Sequence, residues 1–472
     1  MGTFDSRPRF LLSAFLMNTS SHILGGMWRH PQAEQHKFNE LALWVELAKK
    51  LEDAKFDSLF FADVVGLYGD HEGGWASLVR KGLQVPSQDP LVLLSALSAT
   101  TSDIGLAMTS SVVQAHPFQF ARQASTLDHL SNGRVAWNIV TSVLENAHRN
   151  FGGDNLVAHD DRYAWAEEYV EAAYKLWEGS WEDDALKADK GSGIYADPAR
   201  VNKINHRGQL YSIDGPHLAL PSVQRTPFLF QAGSSPRGSQ FAATHAEATF
   251  LFAPHPEYVA KKNAQLIGNL EAAGRTRTDI KVFAGLSFVV GSTEAEAKAL
   301  EAEYDQYLDL EAIVAHIGGG IGVDLGGLDL DTPLGAVKTE GAQGVLEAVL
   351  ASTPGRNPTL RDLANYRAKA QQIVGTPEQI VDELERWQDA GIDGLNIMNH
   401  VLPGSYDNFI EGVLPELRRR GLAQSEYAPG SLRQKVFGRG DKLPANHPAA
   451  QYRGAFTEYS AANSEASMQY QG

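Results

Sequence analysis

The 472-residue chain predicts one large (βα)8 barrel carrying inserted segments. Three observations point there. Short apolar runs alternate with amphipathic helical stretches, the rhythm of a parallel sheet with helical crossovers. Polar side chains crowd at the ends of those runs, where parallel α/β proteins build ligand sites. No GxGxxG follows the first run and no Walker A sequence occurs, so the main signals of doubly wound alternatives are missing.

In chain order, Phe10 to Phe15 (FLLSAF) reads as the first strand, followed by a polar, aromatic and glycine-rich loop through His30. Asn39 to Ala54 is an amphipathic helix. Ser58 to Asp63 is the second strand, closed by an acid. A long segment with Tyr68, Trp75 and Gln84 leads to the helix Pro90 to Ala99. Ile104 to Thr109, then Phe118 to Leu127, give the third strand and helix. Arg134 to Asn138 is the fourth strand. Residues 180–226, rich in Gly, Pro and charge, read as an insertion with short strands at Gln209 to Ile213. Thr226 to Ala232, Ala248 to Phe252 and Lys281 to Val290 are strands five to seven, each with a following helix. The many glycines of residues 309–370 argue against a stable helix around His316. A helix is expected again at Thr359 to Gln371 and after Thr376-Pro377. Asp393 to Ile397 is the eighth strand and Tyr406 to Arg420 the last helix. The barrel is expected to span residues 1–425, with insertions near 67–88, 180–226 and 309–370, mostly on the face of the strand C-termini. Residues 426–472 lack helical periodicity and read as an extension wrapping the surface, disordered toward its end.

The stretch from Gly133 to Tyr163 is the densest in chemistry. A buried strand opens into Asn138, Thr141 and Ser142. A second polar group, His159 to Tyr163, begins the next helix. Capping accounts for one residue at each end, not for the whole cluster. The GSSPRG turn at Gly233 to Gly238 leaves free N–H groups before a helix and adds Arg237, which suits a phosphate; it suits an ordinary helix cap equally well.

A formal charge of -16 argues against a nucleic-acid partner. Cysteine is absent, so thiolate chemistry and Cys-ligated metals are excluded. His22, His30, His71, His159 and Asp63 lack HxH or HExxH spacing, so no metal site is expected. The first residues lack an apolar signal core, and no membrane-length apolar run appears. A soluble cytoplasmic protein is expected.

Five stretches together carry a resemblance: ADVVG (62–66), STLDHLSNGRVAWNIVTS (125–142), HDDRY (159–163), LWEGSWEDDA (176–185) and QAGSSPRG (231–238). With the tail FGRGDKLPANHPAAQYR (437–453), they resemble the flavin-dependent monooxygenases of the bacterial luciferase type, in the nitrilotriacetate, dibenzothiophene sulfone, dimethyl sulfide and long-chain alkane branch. The resemblance implies a TIM barrel of the bacterial luciferase type. It also implies reduced FMN (FMNH2) supplied by a separate flavin reductase, O2 as co-substrate, and a flavin C4a-(hydro)peroxide that oxygenates a small organic substrate. A homodimer or homotetramer is expected. By similarity, Asp63, Asn138, Thr141, Ser142, His159, Tyr163, Ser234 and Ser235 bind the cofactor. His22, Tyr68 and His316 are catalytic candidates. Thr19, Trp28, Gln84 and Val143 are substrate contacts. Thr19 and Val143 stand where the alkane enzyme has cysteine and histidine, so the substrate does not transfer with the resemblance.

The wall of Met27, Trp28, Leu67, Tyr68 and Val143 has Arg29 as its nearest cation, which favours a neutral apolar or organosulfur substrate. The competing readings are a non-catalytic flavin-binding protein and a metal-dependent barrel hydrolase.

Overall fold

The structure is a computed structural model that describes residues 7–69, 75–154, 156–233, 235–321, 325, 327–336 and 357–457. Among them, eight parallel strands close into a barrel: β1 Leu11–Met17, β2 Ser58–Ala62, β3 Gly105–Ser111, β4 Val135–Val140, β5 Phe228–Gln231, β6 Ala248–Leu251, β7 Lys281–Val290 and β8 Gly394–Met398. Each pairs with the next, and β8 returns to β1.

Strand alternation sorts the side chains. Leu12, Ala14 and Leu16 of β1 pack outward among the helices, while Leu11 and Phe15 point into the barrel. Inside, Phe15, Phe60, Phe230, Phe250 and Phe283 meet ring to ring, with centroids 5.4 Å apart for Phe15–Phe60, 5.1 Å for Phe60–Phe230 and 5.5 Å for Phe230–Phe283. Each such burial is worth roughly 1.5–3 kcal/mol. The barrel is therefore a packed core, and a ligand can sit only above it.

The segments between strands depart from expectation in four places. Residues 309–370 contain the helix Leu310–Ile321 despite Gly318, Gly319 and Gly320. Tertiary contact overrides the poor propensity. Asp309 accepts from the Ala312 N–H at 3.0 Å, Ile313 and Val314 are buried, and a Cβ on Gly319 would lie 2.7 Å from the Tyr68 Cβ. Glycine is what lets this helix seat on the loop after β2. A further strand, Gln372–Gly375, pairs with the end of β7 outside the barrel. The segments 67–88 and 145–150 contain the helices Trp75–Lys81 and Glu145–Asn150.

The insertion 180–226 reaches the opposite face from the other two, although Tyr211 within it packs on His116 at 5.3 Å, at the head of the helix that follows β3. It follows the helix His159–Tyr174 rather than a strand, so it runs along the N-terminal end, where Gln224 Nε2 donates to Asp128 at 2.8 Å. Its expected short strands pair as His206–Arg207 with Ser212–Ile213.

The extension after residue 425 seals the same end. It forms the helix Leu432–Phe437, with Leu432 buried against Gly105 and Phe437 stacked on Phe228 at 6.0 Å. Arg433 is 1% exposed and reaches Glu247 at 2.6 and 2.8 Å. The disorder expected toward the C-terminus falls on residues 458–472, outside the described residues. No helix among the described residues is long and apolar enough to cross a membrane.

Candidate active site

Four strand ends build the mouth of the barrel. β2 gives way to Asp63, Val64 and Val65, and β3 ends in Ser111. β4 runs out into Thr141, Ser142 and Val143, and β5 into Ala232 and Gly233. With Tyr68, Gln114, Ala147 and Tyr163 they line a cavity of about 230 Å³. Its walls are close. A Cβ on Gly66 would stand 2.5 Å from the Ala147 nitrogen, and Asn146 Oδ1 accepts from the Leu67 N–H at 2.9 Å. The loop after β2 is thereby clamped to the helix after β4 beside this cavity.

Ser142 adopts φ 51, a left-handed conformation that costs a non-glycine residue about 1–3 kcal/mol. Its Oγ shares a 2.8 Å hydrogen bond with Ser111 Oγ, which holds it there. Asn138, lower in β4, donates to Thr109 Oγ1 at 3.0 Å, and its buried Oδ1 has no partner. Burial pushes the Asp63 carboxyl up to about 7, with the Asp89 charge adding to the rise and the Val64 N–H opposing it.

At one end of the slot is an anion cradle. Ser235 caps the helix Pro236–His245, its Oγ accepting from the Gly238 N–H at 3.0 Å. A Cβ on Gly233 or Gly238 would come within 2.7 or 2.6 Å of the Tyr163 hydroxyl, so both glycines leave that hydroxyl room. Burial raises the Tyr163 phenol, while hydrogen bonds with Ser235 and Gln231 counter it. Arg237 lies 5.8 Å over the Tyr163 ring and bonds Glu167 at 3.1 Å. Arg162 Nη1 donates to the Val157 carbonyl at 2.7 Å, but its buried Nε has no partner, and neither has His148 Nε2. Free N–H groups, a helix N-terminus and buried donors without partners fit a phosphate-bearing ligand.

At the other end, the Tyr68 ring stands edge-on to His316 with centroids 4.4 Å apart. His22 packs on Phe15 at 4.6 Å, and Gln84 Nε2 donates to the His22 carbonyl at 2.7 Å. Burial holds the His22 imidazole down to about 3, with His316 and Arg367 lowering it further. Burial and Arg367 likewise bring His316 to about 3. Burial pushes Tyr68 up to about 12. At physiological pH the Tyr68 phenol that lines the slot is therefore neutral, as are His316 against it and His22 behind it.

The fold thus gathers Asp63, Tyr68, Thr141, Ser142, Val143 and Tyr163 around one cavity, with Asn138 below and Ser235 at its end. His159 stands exposed on the rim, 2.7 Å from Asp160 and 5.3 Å from the Tyr163 ring. Three expected substrate contacts stand apart from this cavity. Thr19 donates to the Pro86 carbonyl at 2.6 Å and lines a smaller cavity with His22 and His400. Trp28 donates to the Lys81 carbonyl at 3.0 Å, pinning the helix Trp75–Lys81. Gln84 backs His22. Ser234 lies outside the described residues. Among the described residues no three His, Asp or Glu side chains gather as a metal site.

Sequence reasoning missed Arg367. It undoes the premise that Arg29 is the nearest cation, because it lies 5.2 Å over the Phe252 ring and within electrostatic range of His22, His316 and Tyr68. A signal was present: Leu360, Leu363 and Ala364 mark the buried stripe of the helix Leu360–Lys369, and Arg367 falls on that stripe.

A closed parallel barrel with a cavity at the C-terminal ends of its strands defines a (βα)8 enzyme. Residues 17–394 match the family of luciferase-like monooxygenases. The chain is 44% identical to the dimethyl-sulfide monooxygenase of Hyphomicrobium sulfonivorans over 95% of each chain. It is 42% identical to the long-chain alkane monooxygenase of Geobacillus thermodenitrificans over 94% of this chain and 97% of that one. A crystal structure of riboflavin lyase with modified FMN superposes with a TM-score of 0.84 at 37% identity, covering 94% of this chain and 99% of that one. The chain belongs to the luciferase-like monooxygenase family and is a flavin-dependent monooxygenase.

Proposed function

We propose that this protein is the oxygenase component of a two-component system that takes reduced FMN from a separate reductase and adds one oxygen atom from O2 to a small, largely apolar or organosulfur substrate. The observation that carries this reading is the slot itself: the clamped loops after β2 and β4 at one end, and the Tyr163, Gly233 and Gly238 cradle at the other. The dimethyl-sulfide and alkane relatives support the oxygenase role and the substrate range.

In this reading Asp63, Thr141 and Ser142 border the isoalloxazine, and Asn138 presents its unpaired Oδ1 from below. Tyr163, Ser235, the Arg162 Nε and the N-terminus of the helix Pro236–His245 hold the phosphate. Bound reduced flavin supplies the activation of O2 and the electrons for the oxygenation. The chain's own groups exclude water and manage protons. Phe15, Phe250 and Phe252 offer the apolar wall for the substrate, worth about 0.8 kcal/mol per buried methylene. His22 and His316, held neutral by burial, can each relay a proton by taking it at one ring nitrogen and releasing one from the other, which leaves the charge of the pocket unchanged. His22 is the first candidate for the proton step.

The test combines the purified protein, FMN, NADH and an unrelated flavin reductase. O2 uptake coupled to a product 16 mass units heavier is expected from a panel of sulfides, sulfones and alkanes. NADH should not be consumed when the reductase is left out. No FMN binding, or NADH oxidation by the protein alone, refutes the reading.

A further inference from the structure

Arg367 enters the mouth from the helix Leu360–Lys369. Its guanidinium carbon stands 5.2 Å from the centroid of the Phe252 ring. Phe252 lies 4.5 Å from Phe250 and 6.0 Å from Phe15, and Phe15 lies 4.6 Å from His22. Cation, aromatic wall and candidate catalytic imidazole form one continuous run.

What distinguishes this arginine is its lack of partners. Among the described residues it makes one polar contact, a long one of 3.4 Å to Gln371 Oε1, and no ion pair. A guanidinium offers five N–H donors in a planar fork. The cations beside it on the helix are occupied: Lys369 bonds Asp305 at 2.6 Å and Arg361 bonds Asp331 at 2.9 Å. The titratable groups within electrostatic range of Arg367 are Tyr68, His22 and His316, all neutral at physiological pH. Burial lowers the Arg367 pKa with no nearby carboxylate to offset it. Other buried guanidiniums are held by several partners. Arg134 makes five hydrogen bonds and Arg433 pairs with Glu247.

We infer that Arg367 is the anion anchor of the substrate site, binding a carboxylate-class group on a substrate whose apolar or thioether body lies along Phe252 and Phe250. This assignment rests on the oxygenase reading above and sharpens it from an apolar molecule to an apolar organic acid. The pairing is charge-assisted and can be bidentate, which fixes the direction in which the substrate enters as well as its affinity. Aromatic stacking of the guanidinium on Phe252 keeps the fork oriented while the anion is absent.

The probes are a methyl thioether with a carboxylate two carbons from sulfur, and its uncharged methyl ester. With reductase, FMN and O2 present, the wild-type protein should prefer the acid at least tenfold in kcat/KM. Arg367→Met should lower the acid-to-ester ratio at least tenfold, chiefly through KM for the acid. Arg367→Lys, which retains the charge without the fork, should retain part of the preference. A second measurement needs no turnover: millimolar acid should raise the Tm of the flavin-free wild-type protein, and should not raise that of Arg367→Met. If the wild-type protein favours the ester, or if Arg367→Met keeps the acid preference, the assignment is overturned. If no thioether is oxygenated at all, the oxygenase reading fails on this substrate class. The thermal shift then decides the anchor alone, and an equal shift in both proteins rejects it.

Discussion

The two ends of the barrel complete their polar groups to different degrees. At the N-terminal end, the Arg134 guanidinium reaches Ser98, Thr101, Ile104 and Ser131 at 2.7–3.1 Å, and Arg433 ties the C-terminal extension to Glu247 and to the carbonyls of Thr226 and Pro227. Leu432 and Phe437 close the bottom with apolar surface. Buried atoms without partners occur at both ends, Arg275 Nε and Ser222 Oγ below, and Arg162 Nε, His148 Nε2, Asn138 Oδ1, Gln84 Oε1 and His316 Nε2 above. Leaving a buried polar group unpaired costs about 1–3 kcal/mol, and around the mouth cavity a ligand can offset that cost. The bottom is built for stability and the mouth for ligands.

That contrast can be broken by mutations that trade places. His22→Ala is expected to have the largest effect, at the mouth. Oxygenated product should fall by roughly 10²–10⁴-fold, the range for loss of a general acid or base. Hydrogen peroxide should rise instead, with melting temperature little changed. Single turnover with pre-reduced FMN, followed by absorbance and product mass, measures this. Product at the parental rate and yield would shift the role to His316.

Arg433→Met is the converse test at the bottom. It leaves Glu247 charged and unpaired in the core, which costs roughly 3–5 kcal/mol. Chemical denaturation should show the loss, while the folded fraction keeps its turnover number. Reduced turnover per folded molecule would show that the extension reaches the site and that the two ends are not independent. Tyr163→Phe returns to the mouth with a smaller effect. Loss of one charge-assisted hydrogen bond should weaken FMN binding by about 1.5–3 kcal/mol, read by fluorescence titration. Unchanged affinity would remove Tyr163 from the phosphate cradle.

The same contrast explains what could be read in the sequence. β1, β2 and β4 were legible because a buried strand leaves an unbroken apolar run, and Asp63 and Ser142 because polar residues follow such a run directly. Tyr163 and Ser235 were legible as helix openings. The helix Leu310–Ile321 was not, because its stability comes from Asp309, from buried Ile313 and Val314, and from contact with Tyr68, while three glycines argue against it locally. The plug at Leu432 was hidden for a similar reason: six residues of helix carry no period, and their partner Gly105 is more than three hundred residues away. Arg367 left only a charge on an apolar stripe, a sign that is easily taken for a solvated edge.

The smallest expected effect concerns Asp63, where stability and function pull against each other in one side chain. Its folded-state pKa of about 7 lies above the ordinary value of 3.8, so the folded protein holds a proton that the unfolded chain has released between those pH values. The sign follows. The stability contributed by the neutral carboxyl is fully present below pH 4 and is lost as pH rises through about 7. Asp63→Asn keeps a neutral side chain of the same shape, so it should flatten the pH dependence of melting between pH 4 and 8 and raise Tm at pH 8. Partial exposure screens the charge, so the gain should be roughly 1–2 °C in a chain of this size. If Asp63 holds a proton for the reaction as proposed for the mouth, the same variant should also lose an inflection near pH 7 in kcat/KM. A melting curve that keeps its slope in Asp63→Asn would assign the pH dependence to another group and leave Asp63 an ordinary ionised acid at the rim.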